Sequence, residues 1–203
     1  MKRTPRIITV VLTGGPCGGK STAERLLHAH AWPAGWQVVF VEESATALIK
    51  AGVTRESCGE QYAFQCRVIE RQLVREQDAL ELARQSDSDT VVVFDRGVPD
   101  SDAYLAPAEY RQALATYGMT PESALLRYDV VFHLVTCAIG AEDHYETTGN
   151  AARRETLAQA AAVDARHAAS WSAHPRLVTL RNGQGFDAKM DALIEYIQGL
   201  MRS

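Results

Sequence analysis

The sequence predicts an α/β domain with a parallel sheet and right-handed crossovers, and three observations point to it. Short apolar, β-branched runs alternate with helical patterns along the chain, the order that βαβ units produce. A complete phosphate-loop pattern lies between the first such run and the first helix. Polar clusters follow the first three runs, where open α/β sheets bind their ligands, beyond the carboxyl ends of the strands.

Taken in order, Ile7-Ile8-Thr9-Val10-Val11-Leu12 is β-branched and nearly all apolar, the pattern of a strand covered on both faces. Gly14 to Gly19 breaks the chain, and Lys20 to Leu27 resumes as a helix. Gln37 to Val41 is a second strand ending at Glu42-Glu43, and Ser44 to Lys50 is a short helix stopped near Gly52. Glu60 to Gln85 contains neither Gly nor Pro, and Phe64, Val68, Leu73 and Leu80 recur at roughly helical spacing, so this stretch reads as one long helix. The third strand, Thr90 to Phe94, ends at Asp95-Arg96-Gly97; Asp129 to Thr136 is the fourth and Arg176 to Leu180 the fifth. The Ala-rich segment Ala151 to Ala169 reads as helix, and Phe186 to Met201 as a closing helix.

Composition narrows the function. The chain of 203 residues suits one compact domain, and 46% apolar with 23% charged residues is ordinary for a soluble globular protein. A net charge of −4 gives no general attraction to nucleic acid or to an anionic membrane. The run from Ile7 to Leu12 is too short for a signal peptide, and no stretch approaches the roughly 18 apolar residues of a membrane span. Cys17, Cys58, Cys66 and Cys137 form no CxxC and no zinc spacing, so reduced thiols in a cytoplasmic protein are expected.

Gly14-Gly15-Pro16-Cys17-Gly18-Gly19-Lys20-Ser21 fits G-x-x-x-x-G-K-S/T in full. Glycines let the backbone wrap around phosphate oxygens with its N–H groups pointing inward. Lys20 brings a positive charge to the β- and γ-phosphates, and Ser21 offers a hydroxyl to Mg²⁺. The helix that continues through Thr22 presents its positive end to the same phosphates. A glycine-rich turn matching by chance would lack the buried strand before it and the helix after it. The expected ligands are ATP or GTP, with Mg²⁺. Cys17 reads as a small loop residue rather than a redox switch.

The acidic residues at the strand ends carry the next expectation. A carboxylate at Asp95 either holds Mg²⁺ or takes a proton from the attacking group, the plainer alternative being a helix N-cap. Arg96 stands where a motor ATPase would carry a second acid to activate water, and is placed among the acceptor contacts. Asp100 and Asp102, just past Asp95, are candidates to close the acceptor pocket, the equal alternative being a plain loop. Glu42 and Glu43 end the second strand, so one of them faces the γ-phosphate. A carboxylate there suits an acceptor hydroxyl better than bare water; the alternative is a solvated acidic edge. Arg153 is a candidate to fold over the γ-phosphate and neutralise charge in the transition state, weighed against a surface helix start paired with Glu155. No N-K-x-D guanine signature, D-x-x-G switch, H-E-x-x-H or basic–aromatic face occurs. His133 reads as a core residue, and Trp32, Trp36 and Trp171 as packing residues.

Thr13 to Thr22 also resembles the phosphate loop of a family of small AAA-like ATP/GTP-binding domains. That family includes the domain of the fly TRPL translocation-defect protein and is related to the ribosylnicotinamide kinase domain of the NadR proteins. Val41-Glu42-Glu43-Ser44-Ala45-Thr46 is similar to its E-x-A-R/T segment, and Phe64-Gln65 through Glu70-Arg71-Gln72-Leu73 to its long-helix pattern. Asp95-Arg96-Gly97 with Asp102-Ala103-Tyr104 resembles D-R-G…A-Y, Asn150 to Thr156 resembles N-P-V-R-Y-E-T, and His174-Pro175 with Arg181-Asn182 resembles H-P…D-N. Arg154 and Arg181 depart from that pattern. The resemblance implies a P-loop kinase-like three-layer fold, a five-stranded parallel sheet of order 2-3-1-4-5, and a small helical lid near residues 140–156. It also implies nucleotide contacts at the Gly14 loop and Asn182, and a second-substrate site near Glu43, Phe64, Gln65 and Asp95.

Together these readings describe a single-domain, Mg²⁺-dependent small-molecule kinase. Lys20, Glu43, Asp95 and Arg153 are its catalytic candidates, and its acceptor is an unidentified hydroxyl compound, nucleoside-like or another small molecule. The rival is a nucleotide-dependent switch or partner-binding module with slow hydrolysis, for which a protein partner would matter. A ring-forming AAA+ motor fits poorly, because the chain is short and its third strand ends in Asp-Arg.

Overall fold

A computed structural model of the chain describes residues 3–147 and 156–202. Among these, five strands form one sheet: β1 (Ile7–Thr13), β2 (Trp36–Val41), β3 (Asp89–Asp95), β4 (Val130–Leu134) and β5 (Leu177–Leu180). All pairings are parallel and the order is β2-β3-β1-β4-β5, as the resemblance implied. The described helices are α1 (Lys20–Ala29), α2 (Ser44–Lys50), α3 (Arg55–Cys58), α4 (Gln61–Gln85), α5 (Pro107–Ala115), α6 (Pro121–Leu125), α7 (Asp143–Thr147), α8 (Leu157–Ser170) and α9 (Phe186–Arg202). A 3-10 turn spans Val98–Tyr104. None of these helices is long and apolar enough to cross a membrane.

Alternation along the strands divides the core into two layers. Ile8, Val10 and Leu12 of β1, with Val91, Val93, Phe132 and Leu134, pack against Ala23 and Leu27 of α1 and Met190, Leu193 and Ile197 of α9. Val11, Val92, Phe94 and Val131 face the other way, onto Ala79 and Ala83 of α4 and onto Tyr128 and Trp171. Both faces are covered, which is why these strands read as continuous apolar runs. The register pairs Leu12 with Asp95 and Thr13 with His133, so the phosphate loop and the acidic strand ends emerge along one edge.

Two sequence expectations are corrected here. The fourth strand runs Val130–Leu134, shorter than Asp129 to Thr136, and side-chain hydrogen bonds flank it at both ends. The Asp129 carboxylate accepts from the Thr9 N–H at 2.7 Å and its hydroxyl at 2.8 Å, and the Thr136 hydroxyl donates to the Pro16 carbonyl. The region between β3 and β4, read without elements, holds the 3-10 turn, α5 and α6. Proline opens both helices, a favoured first helical position, and they close a third apolar cluster of Ile69, Val98, Tyr110, Leu114 and Ala124.

Candidate nucleotide-binding site

The phosphate loop leaves β1 and folds over the end of β4. A Cβ on Gly14 (φ 137°) would lie 2.3 Å from the Leu134 carbonyl oxygen, and one on Gly18 would lie 2.4 Å from it. Only glycine permits so close an approach of two backbone segments. Cys17 holds a left-handed conformation (φ 60°), and its carbonyl accepts from the Cys137 N–H at 3.1 Å. α1 then begins behind Gly19, which supplies no side-chain cap, so first-turn N–H groups are left for an anion. In front lies a cavity of about 830 Å³, lined by Gly15 through Thr22 and, across from them, by Cys137, Gly140 to His144, Asn182 and Phe186.

Cys17 and Cys137 form a disulfide with Cα atoms 5.5 Å apart, which corrects the expectation of four reduced thiols; Cys58 and Cys66 are free. The pair is remote in sequence. The β1–β4 register sets Thr13 beside His133, and each cysteine lies the same distance along the chain past its member of that pair.

Two buried charges brace the loop, and neither stood out in the sequence. Asp164 of α8 accepts from the Gly15 N–H at 2.7 Å and the Thr136 N–H at 3.1 Å, and lies 3.2 Å from His133 Nε2. Burial would raise its pKa, but His133 and the two N–H groups hold it low. Lys189 of α9 donates to the carbonyls of Gly18 and Val135 and to Asn182 Oδ1.

A cluster of charges meets at the inner end of the loop. Lys20 Nζ stands 4.0 Å from Asp95 Oδ1. Burial and the neighbouring Arg96 lower the lysine's pKa against the pull of Asp95, Glu43 and Asp100. Burial raises Asp95 to about 6, opposed by Lys20, and Asp95 Oδ1 is buried with no hydrogen-bond partner among the described residues. Arg96, itself left-handed (φ 71°), donates through Nε to Glu43 Oε1 at 2.5 Å and through a terminal nitrogen to Asp100 at 3.2 Å. Glu43 Oε2 accepts from Thr46 at 2.6 Å. Although burial opposes it, Arg96 and Lys20 keep the Glu43 carboxyl below its ordinary range.

Asp100 is 3% exposed. It accepts from Arg96, the Thr13 hydroxyl, the Gly97 N–H, Trp171 Nε1 and His167 Nδ1. Despite burial, His167 and Arg96 hold it well below the usual carboxylate range. From α4, Gln72 donates to the Arg96 carbonyl and to Glu76, and accepts from Ser44.

Beside this cluster opens a second cavity of about 340 Å³. Its walls include Glu43, Phe64, Gln65, Arg96, Asp100 and Tyr104.

The structure gathers Glu43, Phe64, Gln65, Arg96 and Asp100 on the second cavity, with Asp95 off its walls, and, around the first cavity, Gly15, Pro16, Cys17, Gly18, Gly19, Lys20, Ser21, Thr22 and Asn182. Gly14 forms the turn that enters the loop. Arg153 and much of the expected lid lie outside the described residues. Asn182 lines its cavity while its amide donates to the carbonyls of Thr136 and Ile139, both at 2.8 Å. Asp164 and His167 escaped notice, yet one signal marks them: they share a helical face with Ala160 and Trp171, all buried.

This fold and site define a P-loop nucleotide-binding α/β domain. A family model described as an AAA domain matches residues 9–186, from β1 to the first residue of α9, and the chain belongs to that family. No curated protein matches the chain.

Proposed function

We propose that the protein is a Mg²⁺-dependent phosphotransferase that moves the γ-phosphate of ATP or GTP to a hydroxyl of a small, nucleoside-like molecule. The observation that carries this reading is the second cavity: Glu43 and Arg96 wall it and also act electrostatically on Lys20 of the phosphate loop. A module that only hydrolyses nucleotide has no need of such a pocket.

Lys20 neutralises the β- and γ-phosphates. Ser21 and Asp95 would hold Mg²⁺, a hard cation that suits oxygen donors, and the buried Asp95 Oδ1, which faces Lys20 but accepts no hydrogen bond among the described residues, fits that role. When bound, the ion would offset charge on the transferring phosphoryl group. Phe64 and Gln65 face the body of the acceptor, and Arg96, fixed by Asp100, anchors its polar edge. Each Glu43 oxygen has one protein donor and a further lone pair, so the ionised carboxylate can orient the hydroxyl. The hydroxyl oxygen bonds to the γ-phosphorus as the bond to the β–γ bridging oxygen breaks, and its proton passes to Glu43. Positioning and charge neutralisation dominate. Arg153 closes over the γ-phosphate in this reading. A cytoplasmic location belongs to the same proposal, although the Cys17–Cys137 bridge is unusual for that compartment.

The second reading is a nucleotide-dependent switch with slow hydrolysis. It is favoured by the pairing of Glu43 with Arg96 and Thr46, which a partner-facing strand edge would also show. Thermal-shift screening of nucleosides and phosphorylated metabolites, with a non-hydrolysable triphosphate present, separates the two. A kinase yields a compound that stabilises only the nucleotide-bound form and stimulates turnover. With that acceptor, Glu43→Gln should spare nucleotide affinity and abolish transfer. Transfer within about threefold of wild type, roughly 0.65 kcal/mol in barrier, contradicts the role given to Glu43.

A further inference from the structure

Lys189 comes from the first turns of α9, is 4% exposed, and reaches under the phosphate loop. Its ammonium donates to the Gly18 carbonyl at 2.9 Å, the Val135 carbonyl at 2.7 Å and Asn182 Oδ1 at 3.1 Å. An ammonium has three donors, and these three acceptors engage them. They belong to the phosphate loop, the end of β4 and the turn after β5.

The Gly18 contact has a geometric consequence. The peptide between Gly18 and Gly19 is planar and trans, so its carbonyl and its N–H point in opposite directions. A cation that draws the Gly18 carbonyl down to α9 therefore turns the Gly19 N–H away from itself, and Gly19 lines the cavity. The Asn182 contact acts at the far side of the same cavity. Through its amide, Asn182 also ties down the carbonyls of Thr136 and Ile139. One side chain thus braces both the phosphate end and the opposite wall of a cavity it does not line.

We propose that Lys189 is a positioning residue of the nucleotide site, whose charge holds the Gly18 peptide in the orientation that lets the loop bind a triphosphate. The proposal rests on the nucleotide-binding reading of the loop.

Its protonation then matters. Burial lowers the Lys189 pKa to about 8, with Asp164 of α8 pulling it up. Asp164 is the charged group acting on it, and the Gly18, Val135 and Asn182 contacts are neutral. Below pH 8 the ammonium is intact and the brace is present; as pH rises through about 8, a proton and one donor are lost and triphosphate affinity falls. The stability of the fold moves the other way. A folded pKa below the ordinary 10.5 means that the native state releases its proton first, so this group's contribution to stability rises between about pH 8 and 10.5. A lysine that merely packs would move the melting temperature and leave affinity alone.

The test is calorimetric titration with a non-hydrolysable triphosphate between pH 7 and 9.5, on wild type, Lys189→Met and Lys189→Arg, with circular dichroism and melting temperature for each. Wild type should lose about fivefold or more in affinity across the range, with its inflection near pH 8. Lys189→Arg, charged throughout, should bind without that inflection. Lys189→Met should be weaker by tenfold or more at pH 7, about 1.4 kcal/mol, and equally free of it. A flat wild-type profile overturns the proposal, as does a folded Lys189→Met that binds like wild type or keeps the inflection. If Lys189→Met does not fold, wild type against Lys189→Arg decides, and parallel profiles overturn it. Wild type that binds no triphosphate at any pH overturns the nucleotide reading itself and the proposal with it.

Discussion

Arg96 and Asp100 show how individual residues set the chemistry of the site. Arg96 is half-buried in a left-handed conformation that few non-glycine residues adopt, and Asp100 meets it with a carboxylate that is also bonded to Thr13, Gly97, Trp171 and His167. Removing the charge while keeping the shape leaves Arg96 half-paired. Asp100→Asn should destabilise the protein by about 3 kcal/mol, within the range for breaking a buried pair, or roughly 6 to 12 °C in melting temperature. The folded pKa of Asp100 lies below its unfolded value, so its stabilisation is present above about pH 4 and is lost as the pH falls further. Melting curves on acidification should therefore fall more steeply for wild type than for Asp100→Asn; equal slopes would show that Asp100 is not the responsible carboxylate. The presence of Asp100 near the acceptor pocket was legible from its place after Asp95. Its partners were not, because Thr13, Trp171 and His167 approach it only through tertiary contact.

At the scale of elements, the phosphate loop depends on its neighbours as much as on its own glycines. The match to G-x-x-x-x-G-K-S/T was complete in the sequence, and the strand before it and helix after it were placed nearly to the residue. The supports were hidden: Asp164 sits in an Ala-rich helix and Lys189 in an amphipathic one, where single charges usually mark the solvent side. Both lie instead on the apolar faces of α8 and α9, Lys189 one turn before Leu193, and that phase was the readable sign. The Cys17–Cys137 bridge joins the loop to the segment after β4 and closes a sequence separation of 120 residues. Loops of that length contribute about 4 to 5 kcal/mol in the chain-entropy account. Mild reduction should lower the melting temperature of wild type and leave Cys137→Ser unchanged. An unchanged wild type, with thiol alkylation showing four free cysteines, would contradict the bridge.

At the scale of the whole molecule, the all-parallel five-stranded sheet brings residues from five separate stretches of chain to one edge. Alternating strands and helices announced the sheet, and the strand order followed from the resemblance to AAA-like domains, now matched over residues 9–186. The segment between β3 and β4 was illegible because its helices are short and take their stability from the cluster around Ile69 rather than from periodicity of their own. Everything proposed for this protein, acceptor pocket and lysine brace included, stands on triphosphate binding at the loop from Gly14 to Ser21. The direct measurement is calorimetric titration of ATP and GTP, with Mg²⁺, into wild type and Lys20→Ala. Wild type should bind one of the two, and Lys20→Ala, with an unchanged circular dichroism spectrum, should bind it at least about tenfold more weakly, some 1.4 kcal/mol. Equal affinity in the two proteins, or no binding by wild type, would contradict the account at its base.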